Sequence, residues 1–174
     1  MGPTSIGSGD YFVAGAQDNG SQYFGGVSTG ENASIEVQGG DGAASMFDQG
    51  TDNYFITNYV YNQRINYRTT GGATRVINSE TTSNGAFISP MALDTSRDIL
   101  FSDYTVPGAT PVYGIRRYTN LKSGTVGKTT LTNTTLITSS PTALTVSKYS
   151  TAATTLLVGF RNGKVLLSLN ANAA

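Results

Sequence analysis

Three stretches of this chain follow one template: residues 45–56 (SMFDQGTDNYFI), 91–101 (MALDTSRDILF) and 143–158 (ALTVSKYSTAATTLLV). Each runs from an apolar strand through a polar turn into a second apolar strand. Asp48 and Asp94 hold the same place, 46 residues apart, and Val146 follows 52 residues later. A period of about 40–50 residues marks an array of one supersecondary unit, and four short strands per unit mark the blades of a β-propeller.

Helix signals are nearly absent. No window of helical length keeps apolar residues at i, i+3, i+4 and i+7, whereas alternating runs recur throughout. Residues 11–16 and 21–26 flank Gln17-Asp18-Asn19-Gly20, a hairpin in which Asn19-Gly20 suits a type I′ turn. Residues 156–160 and 164–169 flank Arg161-Asn162-Gly163, read as the same device. Residues 53–60 with 64–69, and 98–105 with 112–119, make two further hairpins. Their anchors are Tyr11, Tyr54, Ile99 and Leu156, at steps of 43, 45 and 57.

With strands A to D counted outward, A falls at 45–48, 89–94 and 143–147, and D at 34–38, 74–79 and 130–138. The chain then reads BCD-ABCD-ABCD-ABC. The expectation is an all-β, antiparallel propeller arc of about four blades in one segment, 1–174, with blades at 10–38 (partial), 43–80, 87–138 and 141–170 (partial). An open arc exposes sheet edges. The arc is therefore read as part of a larger propeller, completed by further blades of the same protein or by another chain.

Composition narrows the chemistry. Eleven basic and eleven acidic residues cancel, which gives no electrostatic footprint for nucleic acid. With no Cys and no His, Cys/His zinc sites and His-assisted nucleophiles are excluded. No apolar run is long enough for a membrane span. Residues 123–129 (SGTVGKT) imitate a phosphate-binding loop, but Lys122 stands where that motif needs Gly. The β-branched run that follows reads as a strand rather than the required helix.

The string Tyr11–Ser21, with Gln17-Asp18-Asn19-Gly20, followed by Gly39-Gly40-Asp41-Gly42, resembles secreted bacterial β-propellers of the sortilin-type and BNR (sialidase-like) repeat superfamily. Such repeats are common in surface proteins of Bacteroidetes. The resemblance implies a propeller at the cell surface or secreted. Departures are clear: the Trp-containing Asp-box is absent, and neither the sialidase Arg triad nor its Tyr has a match.

In an up-and-down blade, B–C and D–A loops share one face. That places the 17–20 turn beside the 39–42 loop. Asp18 and Asp41, with Asn19, would converge on a hard cation such as calcium or form a carboxylate pair for glycosidic chemistry. The plainer alternative is an Asx-turn at Asp18 with Asp41 pinning the loop. Tyr61, with Asn62, Gln63 and Arg64, would stack on a sugar or hold a peptide, against plain packing between blades. Arg64 and Arg161, both in or next to B–C turns, would bind a carboxylate or stand solvated. Asp48 and Asp94, on the opposite face, read as turn-openers. The leading expectation is a non-catalytic recognition or scaffolding module whose ligand-binding residues are Gln17, Asp18, Asn19, Asp41, Tyr61, Arg64 and Arg161, with no catalytic residue assigned. No cofactor is expected beyond calcium at Asp18 and Asp41. The alternatives are part of a secreted glycoside hydrolase and a spacer in a large adhesin.

Overall fold

A computed structural model of the chain describes residues 4–5, 10–25, 34–49 and 54–173. It is all-β, with four antiparallel sheets, each a simple meander. The first holds β1 (Thr4–Ser5), β2 (Asp10–Ala16), β3 (Gly20–Phe24) and β4 (Ile35–Gln38). The second holds β5 (Gly42–Phe47), β6 (Tyr54–Tyr59), β7 (Arg64–Thr69) and β8 (Thr74–Ser79). The third holds β9 (Met91–Asp94), β10 (Ile99–Val106), β11 (Val112–Thr119) and β12 (Gly127–Leu131). The fourth holds β13 (Pro141–Val146), β14 (Leu156–Phe160) and β15 (Val165–Ser168). Among the described residues no helix is long and apolar enough to cross a membrane.

The chain divides into two compact units, Met1–Thr81 and Thr82–Ala174, each containing two sheets. In the first unit the sheets meet through Val13, Phe47 and Phe55, with Tyr11, Tyr23 and Val37 packed around them. Tyr23 stacks on Phe55 at 4.8 Å between centroids, nearly parallel at 11°. In the second unit Ala92, Ile99, Phe101 and Ile115 of the third sheet face Leu156, Val158 and Phe160 of the fourth. These side chains take alternate positions along their strands, while β6 and β10 bury the intervening residues as well; burying each large one contributes about 1.5–3 kcal/mol.

Three expectations need correction. The first sheet has a strand ahead of the expected BCD, because Thr4 pairs with Tyr11 and Ser5 with Asp10. The outer strand of the third sheet is Gly127–Leu131, not 130–138. Asn133 ends it: its Oδ1 accepts hydrogen bonds from the backbone N–H groups of Thr135 (3.0 Å) and Leu136 (2.9 Å), an Asx-turn that takes the backbone off the ladder. Third, the repeat has a one-residue offset in its last copy. The first turn closes with Asp48 N–H on the Tyr54 carbonyl, and the last with Ser147 N–H on the Thr155 carbonyl, while Asp94 pairs with Ile99. Ser147, not Val146, is the third member of the Asp48/Asp94 series. The expected strand ends at Gly26 and Asn53 lie outside the described residues.

Candidate functional site

The first unit brings the two Gly-Asp segments together. The β2–β3 loop turns through Asp18 (φ 61°) and Gly20 (φ 68°); the left-handed positions are therefore not Asn19 and Gly20, as a type I′ turn would require. The turn is held locally by Asn19 Nδ2 on the Gln17 carbonyl (3.1 Å) and Gln22 Nε2 on the Asn19 carbonyl (2.7 Å). Asp18 N–H donates to the Asp41 carboxylate at 3.0 Å, and Gly20 N–H donates to the Gly40 carbonyl at 2.6 Å. The glycines allow this approach. A Cβ on Gly15 would sit 1.9 Å from the Ala43 carbonyl oxygen, and one on Gly42 2.0 Å from that of Gly20. The backbones touch, so no side chain fits between them.

Asp18 and Asp41 are thus neighbours, and the contact runs from a backbone amide to a carboxylate. Among the described residues no group of three or more His, Cys, Asp or Glu gathers that could hold a metal ion. Asp18 is exposed and Asp41 half-buried.

The 39–42 loop leads directly to a cavity of about 470 Å³. Val37, Gln38, Gly39, Tyr59, Gln63, Arg64, Asn66 and Thr74 line it. Tyr59 packs its ring on Gly40, where a Cβ would meet the ring edge at 2.8 Å. At the cavity wall, Gln38 Oε1 accepts the Thr57 hydroxyl (2.5 Å) and Asn66 Nδ2 (3.0 Å). Asn66 is buried and its Oδ1 has no hydrogen-bond partner. An unsatisfied buried amide oxygen costs about 1–3 kcal/mol. The lining contains no carboxylate.

The turn beside this cavity is unusual. Tyr61 and Asn62 both adopt left-handed backbone, at φ 58° and 56°, and Gln63 N–H closes the turn on the Val60 carbonyl at 3.2 Å. Two non-glycine residues in that region are conformationally unfavourable. The buried Asn62 helps to hold the turn: its Oδ1 accepts from Asn58 Nδ2 (2.7 Å) and its carbonyl from Asn78 Nδ2 (2.9 Å).

Of the expected site residues, Arg64 lines the cavity. Gln17, Asp18, Asn19 and Asp41 sit on the adjoining loops, and Tyr61 stands in the adjacent turn. Arg161 belongs to the second unit, exposed in the β14–β15 turn, where Gly163 (φ 81°) alone is left-handed. Gln38, Thr57 and Asn66 were not expected. Their signal is the run Asn58, Asn62, Asn66, Asn78 in and beside strands, where Asn is depleted.

Two carboxyls of the second unit have displaced pKa values. Burial alone would raise Asp94, but hydrogen bonds from Thr154 and Ser96 and the Arg97 charge hold it below its ordinary value. Burial raises Asp103, which the Thr105 hydroxyl and the Ala86 N–H only partly offset. Asp94 accepts from Thr154 Oγ1 at 2.5 Å and pairs with Arg97 at 3.3 Å. It therefore ties β9 to the fourth sheet as well as opening its turn. The P-loop-like stretch runs into β12, a strand, so no helix N-terminus stands behind Gly127-Lys128.

No protein-family model, no curated protein and no solved structure matches the chain. The likeness to sortilin-type and sialidase-like propellers therefore rests on the residues quoted for it.

Proposed function

We propose that this chain is a non-catalytic recognition module, secreted or displayed at a cell surface, that binds a glycan in the cavity beside the 39–42 loop. The observation that carries this reading is the chemistry of that cavity: an aromatic ring (Tyr59), amides (Gln38, Gln63, Asn66), a hydroxyl (Thr74) and one guanidinium (Arg64). Rings and amides suit the apolar faces and hydroxyls of sugars, and the guanidinium favours an acidic sugar. The absence of a carboxylate from the lining weighs against hydrolysis there, because glycosidases flank the scissile bond with two. The meander of each sheet and the face-to-face packing within each unit support a propeller arc as the larger architecture. The resemblance supports its extracellular setting.

A glycan array that includes uronic-acid oligosaccharides, followed by calorimetric titration of the hits, tests the reading. Arg64→Ala is expected to weaken binding of an acidic glycan by about 10-fold or more, the worth of a charged hydrogen bond. Binding that Arg64→Ala and Gln63→Ala both leave intact would remove the cavity from the site. The close approach of Asp18 and Asp41 keeps the hydrolase reading testable. Hydrolysis of a polysaccharide by the chain, abolished by Asp18→Asn and Asp41→Asn, would replace recognition with catalysis. No binding and no turnover would leave the spacer role.

A further inference from the structure

The fourth sheet buries one face and leaves the other apolar and open. Leu156, Val158 and Phe160 turn toward the third sheet. The opposite face carries Leu157, Val165 and Leu167, which are 41%, 68% and 56% exposed. Leu157 pairs with Leu167, and Gly159 with Val165, so the three form one patch. The turn-closing pairs identify what these positions are. Aligned on Asp94–Ile99 and Ser147–Thr155, Leu157 takes the place of Phe101 and Val165 that of Ile115. Phe101 and Ile115 are almost wholly buried, and what covers them is the next sheet of the same kind. The open face thus continues an interface that the chain already makes within its second unit.

The first sheet offers a counterpart. On its face away from the Val13–Phe55 core, Phe12 and Phe24 pair across β2 and β3 and stack at 4.1 Å. Charge is distributed to match. Although the chain has eleven residues of each sign, no basic residue precedes Arg64 and no acidic residue follows Asp103. The first sheet therefore belongs to a purely acidic stretch, with Glu36 exposed on β4. The fourth belongs to a purely basic one, with Lys148, Arg161 and Lys164 in or beside its turns. Complementary fields of this kind steer two copies into one orientation.

We propose that the chain associates head to tail with further copies of itself, the open face of β13–β15 in one copy covering the Phe12/Phe24 face of the first sheet in the next. The contact is heterologous, so it generates a ring or an open stack rather than a two-fold dimer. It is independent of the glycan reading.

Sedimentation velocity and mass photometry on the full chain, at low and high salt, test this up to about 0.1 mM, above the dissociation constants usual for standard-size interfaces. The expected result is concentration-dependent growth beyond the monomer that weakens as salt screens the opposed charges. Leu167→Glu, at an exposed position, is expected to be monomeric with an unchanged far-UV circular dichroism spectrum. Phe24→Lys is expected to be monomeric too, with Ala14→Lys on the same face as the substitute should Phe24→Lys not fold. An equimolar mixture of the two blocked variants retains one intact head and one intact tail, and is expected to form a dimer and nothing larger. A chain monomeric at every concentration, association that survives Leu167→Glu, or a mixture that stays monomeric would each overturn the proposal.

Discussion

Asp41 and Asp18 show how one carboxylate can be structural while its neighbour is spare. The Asp41 carboxylate accepts the Asp18 amide, so Asp41→Ala is expected to destabilise the first unit by about 1 kcal/mol. Asp18 uses only its backbone and holds φ at 61°. Asp18→Gly should therefore be neutral or stabilising by up to about 1 kcal/mol, a contrast that urea denaturation can read. Gly15→Ala or Gly42→Ala drives a Cβ into backbone oxygen at about 2 Å and is expected to cost about 3 kcal/mol or more, at the upper end of overpacking. The two displaced carboxyls act in opposite senses. Asp94 is depressed in the folded state, so its contribution is present above the unfolded value of about 3.9 and lost as pH falls through the folded one. Asp94→Asn should thus cost about 1.5–3 kcal/mol at neutral pH and little in strong acid. Asp103 is raised, so its contribution is present below about pH 3.9 and lost as pH rises through the folded value. Relative to Asp103→Asn, the wild type should gain stability as pH falls from 7 toward 4. Denaturation curves at a series of pH values check both signs.

Among the elements, strand pattern made the hairpins legible: β8 lies at 74–79, where alternation puts it, and the inner strands and hairpins fall within a few residues of their expected bounds. The offset in the last repeat was not legible, because in ALTVSKYSTAATTLLV both Val146 and Ser147 can follow a strand and only the hydrogen bond from Ser147 to Thr155 decides. A one-residue slip exchanges the two faces of a strand, and here it decides which leucine is core. Leu156 is 1% exposed and Leu157 is 41%. Leu156→Ala is expected to destabilise the second unit by about 2–5 kcal/mol, and Leu157→Ala by less than about 1 kcal/mol in dilute solution. Equal losses would contradict the register. The β12 boundary was missed for another reason: Asn133 sits in a β-branched run, and its side chain competes with the ladder for the backbone N–H groups. The cavity escaped the sequence because its wall is assembled from β4, β6, β7 and β8, four strands whose polar residues look like ordinary strand-edge chemistry one at a time.

For the whole molecule, the glycines of the 17–20 and 39–42 segments have a packing role that needs no ligand, since they let two backbones touch. What points to recognition is the place next to it, where Gly39, Tyr59 and Arg64 open onto an amide-lined cavity. The most direct measurement is a backbone amide NMR titration of the isotope-labelled chain with acidic and neutral oligosaccharides. The expected result is saturable shifts centred on Gly39, Tyr59, Gln63, Arg64 and Asn66, stronger for the acidic sugar and lost in Arg64→Ala. Shifts centred elsewhere, or none at millimolar sugar, would contradict glycan recognition at this cavity.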